Sequence, residues 1–518
     1  MLHIHPSRKS TLAATHLRRL PLAAGIGLVA LVGFSLLLGA RPRPVLADPV
    51  SLFVKPHVTG TCTIADPCSL QTALGTAVDG DVIYMSGGTY TDTAPATSVA
   101  YIDQSISLLG GWDGFTSKPP IRNPDANITT LDGENQRIGI YIDGDYSAPI
   151  TVTLDGLQVT RGWASDRGGG IYARYASVHI EDCHVLSSTA GTAGGGIYLN
   201  YAHNSVLTHN QVYSNTSDFD GGGIYVSWSN GVTVAKSTVY ENTAANQGGG
   251  LFVFYSDQAS LVRNTIYSNT ANSDCGGIRM ITSNGVTIAR NTLFGNVAPY
   301  GGGIISVNSD DVTLSSNTVR GNRTTSSGVG GIQIHTSDNV LLVNNVVVDN
   351  QIHSGEGAGI FIYGSDARLI HTTVARNRGG TGHGIYLQSS GNPVWVWLTN
   401  TILVSQTVGI EVAVNSTATL AATLWGTDTW ANGTDTLGTN ITTSGDLWGD
   451  PAFDDPDGGD YGILSTSVAV NAGFPMLAVR EDIGGHPRPD CVAWDLGAYE
   501  AQDASCNRVH LPLALRGD

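Results

Sequence analysis

The chain has 518 residues, a formal net charge of −17 and 13% charged residues, with lysine only at Lys9, Lys55, Lys118 and Lys236. It therefore lacks the clustered basic surface that nucleic-acid binding requires. The acidic balance disfavours anionic membranes and polyanions, leaves neutral glycans and calcium open as partners, and says nothing of oligomeric state.

In chain order, Arg18 and Arg19 precede an apolar run from Leu20 to Leu38, followed by Arg41-Pro-Arg-Pro and the triplet Val45-Leu46-Ala47. Residues 1–47 read as a signal peptide cleaved after Ala47. The run is also just long enough to span a bilayer, so an uncleaved transmembrane signal anchor is the alternative. Either reading exports the rest of the chain, to the cell surface or beyond it. Cys62 with Cys68, and Cys491 with Cys506, have spacings that allow disulfides in an oxidising compartment. Between them, Leu70, Ala73, Leu74 and Ala77 recur at helical spacing after Ser69 as N-cap, which predicts an N-terminal capping helix. Residues 48–130 then hold this cap and a few irregular coils.

From residue 131 to 440 the sequence repeats itself. GGGIY stands at 168–172, 194–198 and 221–225, GGGLF at 248–252 and GHGIY at 382–386. One aliphatic position per unit, Ile171, Ile197, Ile224, Leu251, Ile278, Ile304, Ile332, Ile360, Ile385 and Ile410, recurs every 25 to 28 residues. A second marker, Asn215, Asn242, Asn269, Asn296, Asn322, Asn350 and Asn377, keeps step with it. These Asn are expected at corners, where Asn tolerates left-handed backbone, with their amides stacked into a ladder. Within a unit, Ile224 to Trp228, Val232 to Lys236 and Thr238 to Asn242 each alternate apolar with polar residues, the period of a half-buried strand. Three short strands per roughly 27-residue unit, each pairing with its equivalent one unit on, make an all-β, single right-handed parallel β-helix. About a dozen coils at about 4.8 Å each would make a rod about 60 Å long. Cys183 and Cys275 lie several coils apart and are expected as buried free thiols.

Residues 441–518 read as an irregular C-terminal cap and tail. Asp450-Pro-Ala-Phe453, Gly459-Asp-Tyr461, Ser467-Val-Ala-Val-Asn-Ala-Gly473, Asp482-Ile-Gly-Gly-His-Pro-Arg488 and Trp494-Asp-Leu-Gly-Ala-Tyr-Glu500 together resemble the choice-of-anchor Q domain. The opening Cys62-to-Tyr90 segment resembles bacterial β-helix proteins of the pectin-lyase-like superfamily, and the GGGIY and NT repeats are similar to those of polymorphic outer-membrane proteins. The resemblance implies a surface or secreted protein and no defined reaction.

Many β-helix enzymes cleave polysaccharides, which directs attention to ionisable residues in register. Asp310 and Asp311 follow their coil marker while His383 precedes its own, so these three do not form one site and the aspartates are expected at a corner. Asp220 and Asp274 each stand four residues before a marker, two coils or about 9.6 Å apart, with Arg279 nearby in register. They are the weak catalytic candidates. A calcium ion would join the two aspartates only if both side chains leaned inwards. The residue after each marker points outwards, and there Tyr172, Tyr198, Tyr225 and Phe252 follow one another. If exposed, this column would make a platform for sugar rings. The sequence thus leads to an exported, noncatalytic glycan- or surface-binding protein. A polysaccharide lyase or glycosidase and a passive structural rod are the alternatives.

Overall fold

The computed structural model describes residues 49–92, 97–490 and 492–502. The leader or anchor reading of residues 1–47 and the Cys491–Cys506 pairing lie outside the described residues. Among the described residues, no helix is long and apolar enough to cross a membrane.

The unit from Asp48 onwards is a right-handed parallel β-solenoid of about 15 turns with 2% helix. That exceeds the dozen coils expected, because the irregular segments at both ends also pair in register. Ser51–Val54 already pairs with Val82–Ser86, and Ile441–Ser444 and Leu447–Gly449 still pair with Ser416–Gly426. The stack therefore runs past residue 440. A first sheet of 13 parallel strands runs from Ser98–Ile102 to Thr434–Leu437 and carries the aliphatic markers. Ile197 pairs with Ile224, Ile224 with Leu251 and Leu251 with Ile278, and all four side chains are fully buried. A second and a third face complete each coil. Two-residue strands from Trp163–Ala164 to Arg323–Thr324 add a fourth column of seven, where the sequence suggested only a long loop. One apolar core runs through the stack from Val54 to Trp425. At its N-terminal end sits the helix Leu70–Thr76, capped by Ser69, whose side chain accepts from Thr72 N, with Leu70 and Ala73 buried. Cys62 and Cys68 form a disulfide beside it, while Cys183 and Cys275 are free and buried.

The glycine triplets are needed for two separate reasons. Gly221, with φ of 62°, takes the left-handed conformation that turns the chain onto the first sheet. At Gly223 a Cβ would lie 2.5 Å from Gly250 O, so the coils could not keep their spacing. Gly223→Ala is therefore expected to cost about 1–3 kcal/mol by overpacking, read as a lower denaturant midpoint. An unchanged midpoint would show that the coils can separate locally.

Hydrogen-bonded ladders hold the corners. Asn242 Oδ1 accepts from both Asn215 N (3.1 Å) and Asn215 Nδ2 (3.0 Å), and its own Nδ2 donates to Val212 O (2.9 Å). The left-handed residue is not the Asn, as expected, but the one before it: Ser214, Glu241 and Ser268 have φ of 53–54°. That turn swings the Asn amide inwards, beneath its neighbour. A second Asn ladder, through Asn264, Asn291, Asn317 and Asn345, and a ladder of serine hydroxyls, through Ser229, Ser256 and Ser283, follow the same rule at the other corners.

The C-terminal segment is not a plug on the end of the stack. It doubles back and packs on the outside of the third face, where Phe453, Tyr461, Ala469, Leu496 and Ala498 cover Val346, Val348, Ala375, Ile402 and Leu424. The reason is in the covered strands: Val346-Val-Val348 and Ile402-Leu-Val404 are apolar on both faces and need a second layer.

Candidate functional site

Parallel in-register pairing turns each sequence offset into a column on the surface. One residue after the marker, the first sheet carries Tyr141, Tyr172, Tyr198, Tyr225, Phe252, Arg279, Ile305, Gln333, Phe361, Tyr386 and Glu411, each paired with the next. The ring centroids of Tyr172, Tyr198, Tyr225 and Phe252 are 4.8–5.2 Å apart, so the predicted stack exists. It is not an exposed platform. Tyr198, Tyr225 and Phe252 are only 1–7% exposed, because they stack on one another and cluster with Ala193 on one side and with Phe254 and Ile281 of the same sheet on the other. Their faces are used on one another, which leaves few for a ligand. Tyr172, at the end of the cluster, is half-buried.

Beside that covered column runs a wall, four residues before the marker. Arg167, Ala193 and Asp220 bridge consecutively, as do Gln247 and Asp274. Wall and sheet together enclose three cavities. The first, about 390 Å³, is lined by Tyr141, Trp163, Asp166, Arg167 and Tyr172. The second, about 330 Å³, is lined by Arg167, Phe219, Asp220, Tyr225 and Trp228. The third, about 560 Å³, is lined by Asp274, Arg279, Tyr300, Gln333, His335, Glu356, Phe361 and Gln388. Trp163, Phe219 and Tyr300, one to each cavity, are 44–54% exposed. None of these three stacks on another ring among the described residues, and about half of each is open to solvent. Tyr300 stands four residues before its marker, in the column of Asp220 and Asp274, whereas periodicity misses Trp163 and Phe219, which stand eight and five residues before theirs.

The ionisable candidates divide. Arg279 and Asp274 meet, with Nη1 2.5 Å from Oδ2. Asp220 lies apart in the second cavity, where its Oδ1 accepts from Asn246 Nδ2 (2.9 Å) and Gln247 N (3.3 Å). Among the described residues no three His, Cys, Asp or Glu side chains are placed to hold a metal. Burial raises both carboxyls above the usual range, opposed at Asp220 by Asn246 and at Asp274 by Arg279. Burial, with Arg279 close by, holds His335 below the usual histidine range. Glu356 joins this cavity because it stands four residues before Ile360, the offset of Asp274 from Ile278. His383 does not meet Asp310 or Asp311. It is buried, with Nε2 2.7 Å from Glu411 Oε2, and Asp310 Oδ1 accepts from Asp338 N at a corner (2.8 Å).

A family model described as right handed beta helix region matches residues 138–319, 270–396 and 308–424, which leaves the C-terminal motifs outside the match. No curated protein matches. Among solved structures, pectate lyase Pel9A aligns at 14% identity over 87% of this chain and 96% of its own, with a TM-score of 0.41. XylC in complex with xylose aligns at 9% identity over 88% and 99%, with a TM-score of 0.47. PfbA, a surface adhesin of Streptococcus pneumoniae, aligns at 14% identity over 57% and 83%, with a TM-score of 0.31.

Proposed function

The chain belongs to the right handed beta helix family, and on that premise we propose that it is an exported protein that binds a polysaccharide chain along the groove of its first sheet. The observation that carries this reading is the row of three cavities on one face, each with a partly exposed aromatic ring that stacks on no other ring of the described residues. Trp163 and Phe219 lie about two coils apart and Phe219 and Tyr300 about three, or about 10 and 14 Å. A chain of sugar rings lying along the axis would meet them in turn, with C–H faces on aromatic faces and hydroxyls on the polar groups between. The Cys62–Cys68 disulfide suits an oxidising, extracytoplasmic setting.

Retention on a panel of immobilised neutral and acidic polysaccharides tests it. At least one should be retained, and Trp163→Ala, Phe219→Ala and Tyr300→Ala should each weaken binding about 2- to 10-fold, the range of one aromatic contact. Failure to retain any polysaccharide, or retention indifferent to all three changes, would refute the proposal. A second reading, turnover of the bound chain, is favoured by one observation: Asp274, His335 and Glu356 line a single cavity. Release of reducing or unsaturated ends in the same assay, abolished by Asp274→Ala, would establish it.

A further inference from the structure

The third cavity, with Asp274 and Arg279 in its lining, is built to take a ligand of a particular charge. Arg279 lies on the first sheet with its side chain 9% exposed, and the closest contact of its ion pair is Nη1 to Asp274 Oδ2 at 2.5 Å. Its Nε and the second carboxylate oxygen of Asp274, Oδ1, are buried without a hydrogen-bond partner. Buried donors and acceptors are normally satisfied, and an orphaned one costs about 1–3 kcal/mol. Here one donor and one acceptor are left unmatched on two paired residues that line a 560 Å³ cavity. A ligand group that both donates and accepts would satisfy them together after a small side-chain adjustment. A pair of adjacent sugar hydroxyls is such a group, since each hydroxyl does both.

The remaining charges of the groove point the same way. The charged residues lining the three cavities are Asp166, Asp220, Asp274 and Glu356 against Arg167 and Arg279. Both guanidiniums already face carboxylates, Arg167 at 3.6 Å from Asp166 and Arg279 at 2.5 Å from Asp274. Carboxylates therefore outnumber guanidiniums four to two, Arg279 is held in a buried pair, and Asp220 and Glu356 would repel an acidic sugar. The whole chain, at −17, adds a field of the same sign.

We infer that this groove selects neutral polysaccharides over polyuronates and that Asp274 and Arg279 together recognise adjacent hydroxyls of one uncharged sugar residue. The inference rests on the groove binding polysaccharide at all and adds the class of sugar.

The test compares retention of the full chain on xylan, galactomannan and mixed-linkage glucan with retention on polygalacturonate and alginate, at low and high salt. A neutral polymer should be retained at least 10-fold better than either acidic one, with little dependence on salt. Asp274→Asn and Arg279→Gln should each weaken neutral binding about 10-fold. Because Arg279→Gln disturbs a buried pair, exposed Glu356→Lys provides a second arm: it should confer salt-sensitive retention of polygalacturonate that the parent lacks. Tighter, salt-sensitive binding of the parent to an acidic polymer would overturn the inference while leaving polysaccharide binding intact. So would neutral binding indifferent to Asp274→Asn and Arg279→Gln in folded protein, or failure of Glu356→Lys to retain polygalacturonate. Retention of no polymer at all would instead remove the reading on which the inference rests.

Discussion

Glu500→Ala is expected to cost about 3–5 kcal/mol of unfolding free energy and to loosen the C-terminal segment from the third face, because it leaves Arg488 as an unpaired buried charge. The Arg488 and Glu500 side chains are 0% and 1% exposed, with Nη1 2.6 Å from Oε2. Arg488 also donates from Nη2 to Gly497 O (2.7 Å), and Glu500 accepts from Asp490 N (3.1 Å). Burial raises the carboxyl of Glu500 and lowers the pKa of Arg488, and Glu500 leads the carboxylates, with Asp482 and Asp495, that oppose the loss of charge on Arg488. Around them, Asp482 Oδ2 accepts from Glu500 N (3.0 Å) and Asp495 Oδ2 from Ala501 N (2.7 Å). The network reaches the solenoid where Asp495 O meets His371 Nδ1 (3.1 Å) and Gly497 N donates to Asn400 O (2.8 Å). Denaturant unfolding would give the loss, and limited proteolysis would show new cleavage within residues 450–502. The double change Arg488→Met with Glu500→Leu, which removes both charges and keeps most of the volume, should recover most of the stability. A loss below about 1 kcal/mol for Glu500→Ala, with the segment still protected, would mean that apolar packing alone holds it.

Asn269→Ala should cost about 2–5 kcal/mol, against less than about 0.5 for Asn272→Ala, an exposed Asn of the same coil. The difference lies in what each amide satisfies. Asn269 Oδ1 accepts from Asn242 N (3.0 Å) and Asn242 Nδ2 (3.0 Å), and its Nδ2 donates to Val239 O (2.9 Å) and Asn296 Oδ1 (3.0 Å). Truncation strips the buried Asn242 N–H of its side-chain acceptor and Val239 C=O of that donor, at about 1–3 kcal/mol each. Amide hydrogen exchange should then localise the loss to the coils on either side, because each coil contacts only its neighbours. Equal effects of the two substitutions would show that the ladder is incidental to stability.

Periodicity made most of the stack legible in advance. In a parallel solenoid the residue one period later is the neighbour in space, so Ile197, Ile224 and Leu251 had to stack, and Asp274 and Arg279 had to share a face. The same reasoning reached the ring stack from Tyr172 to Phe252 and the Asn ladder. It contained Glu356 too, at the offset of Asp274, although coil lengths of 28 residues around Ile332 and Ile360 obscure the column.

What the period could not supply was whatever breaks it. Outward direction follows from alternation, but exposure depends on what packs around the strand, and Ala193, Phe254 and Ile281 bury rings that the pattern alone would leave open. Trp163 and Phe219 stand at offsets no other marker repeats, so no column announces them, while Tyr300 stands in the same column as Asp220 and Asp274. The return of residues 450–502 onto the third face joins Tyr461 to Asp349 and Glu481 to Arg290, pairs 112 and 191 positions apart. The sequence by itself determined the coil, its register and its core, because local alternation and a fixed repeat suffice to place neighbours one period apart. Only the tertiary structure decided which outward residues reach solvent and where the C-terminal segment lies, because both depend on contacts between parts of the chain that no repeat relates.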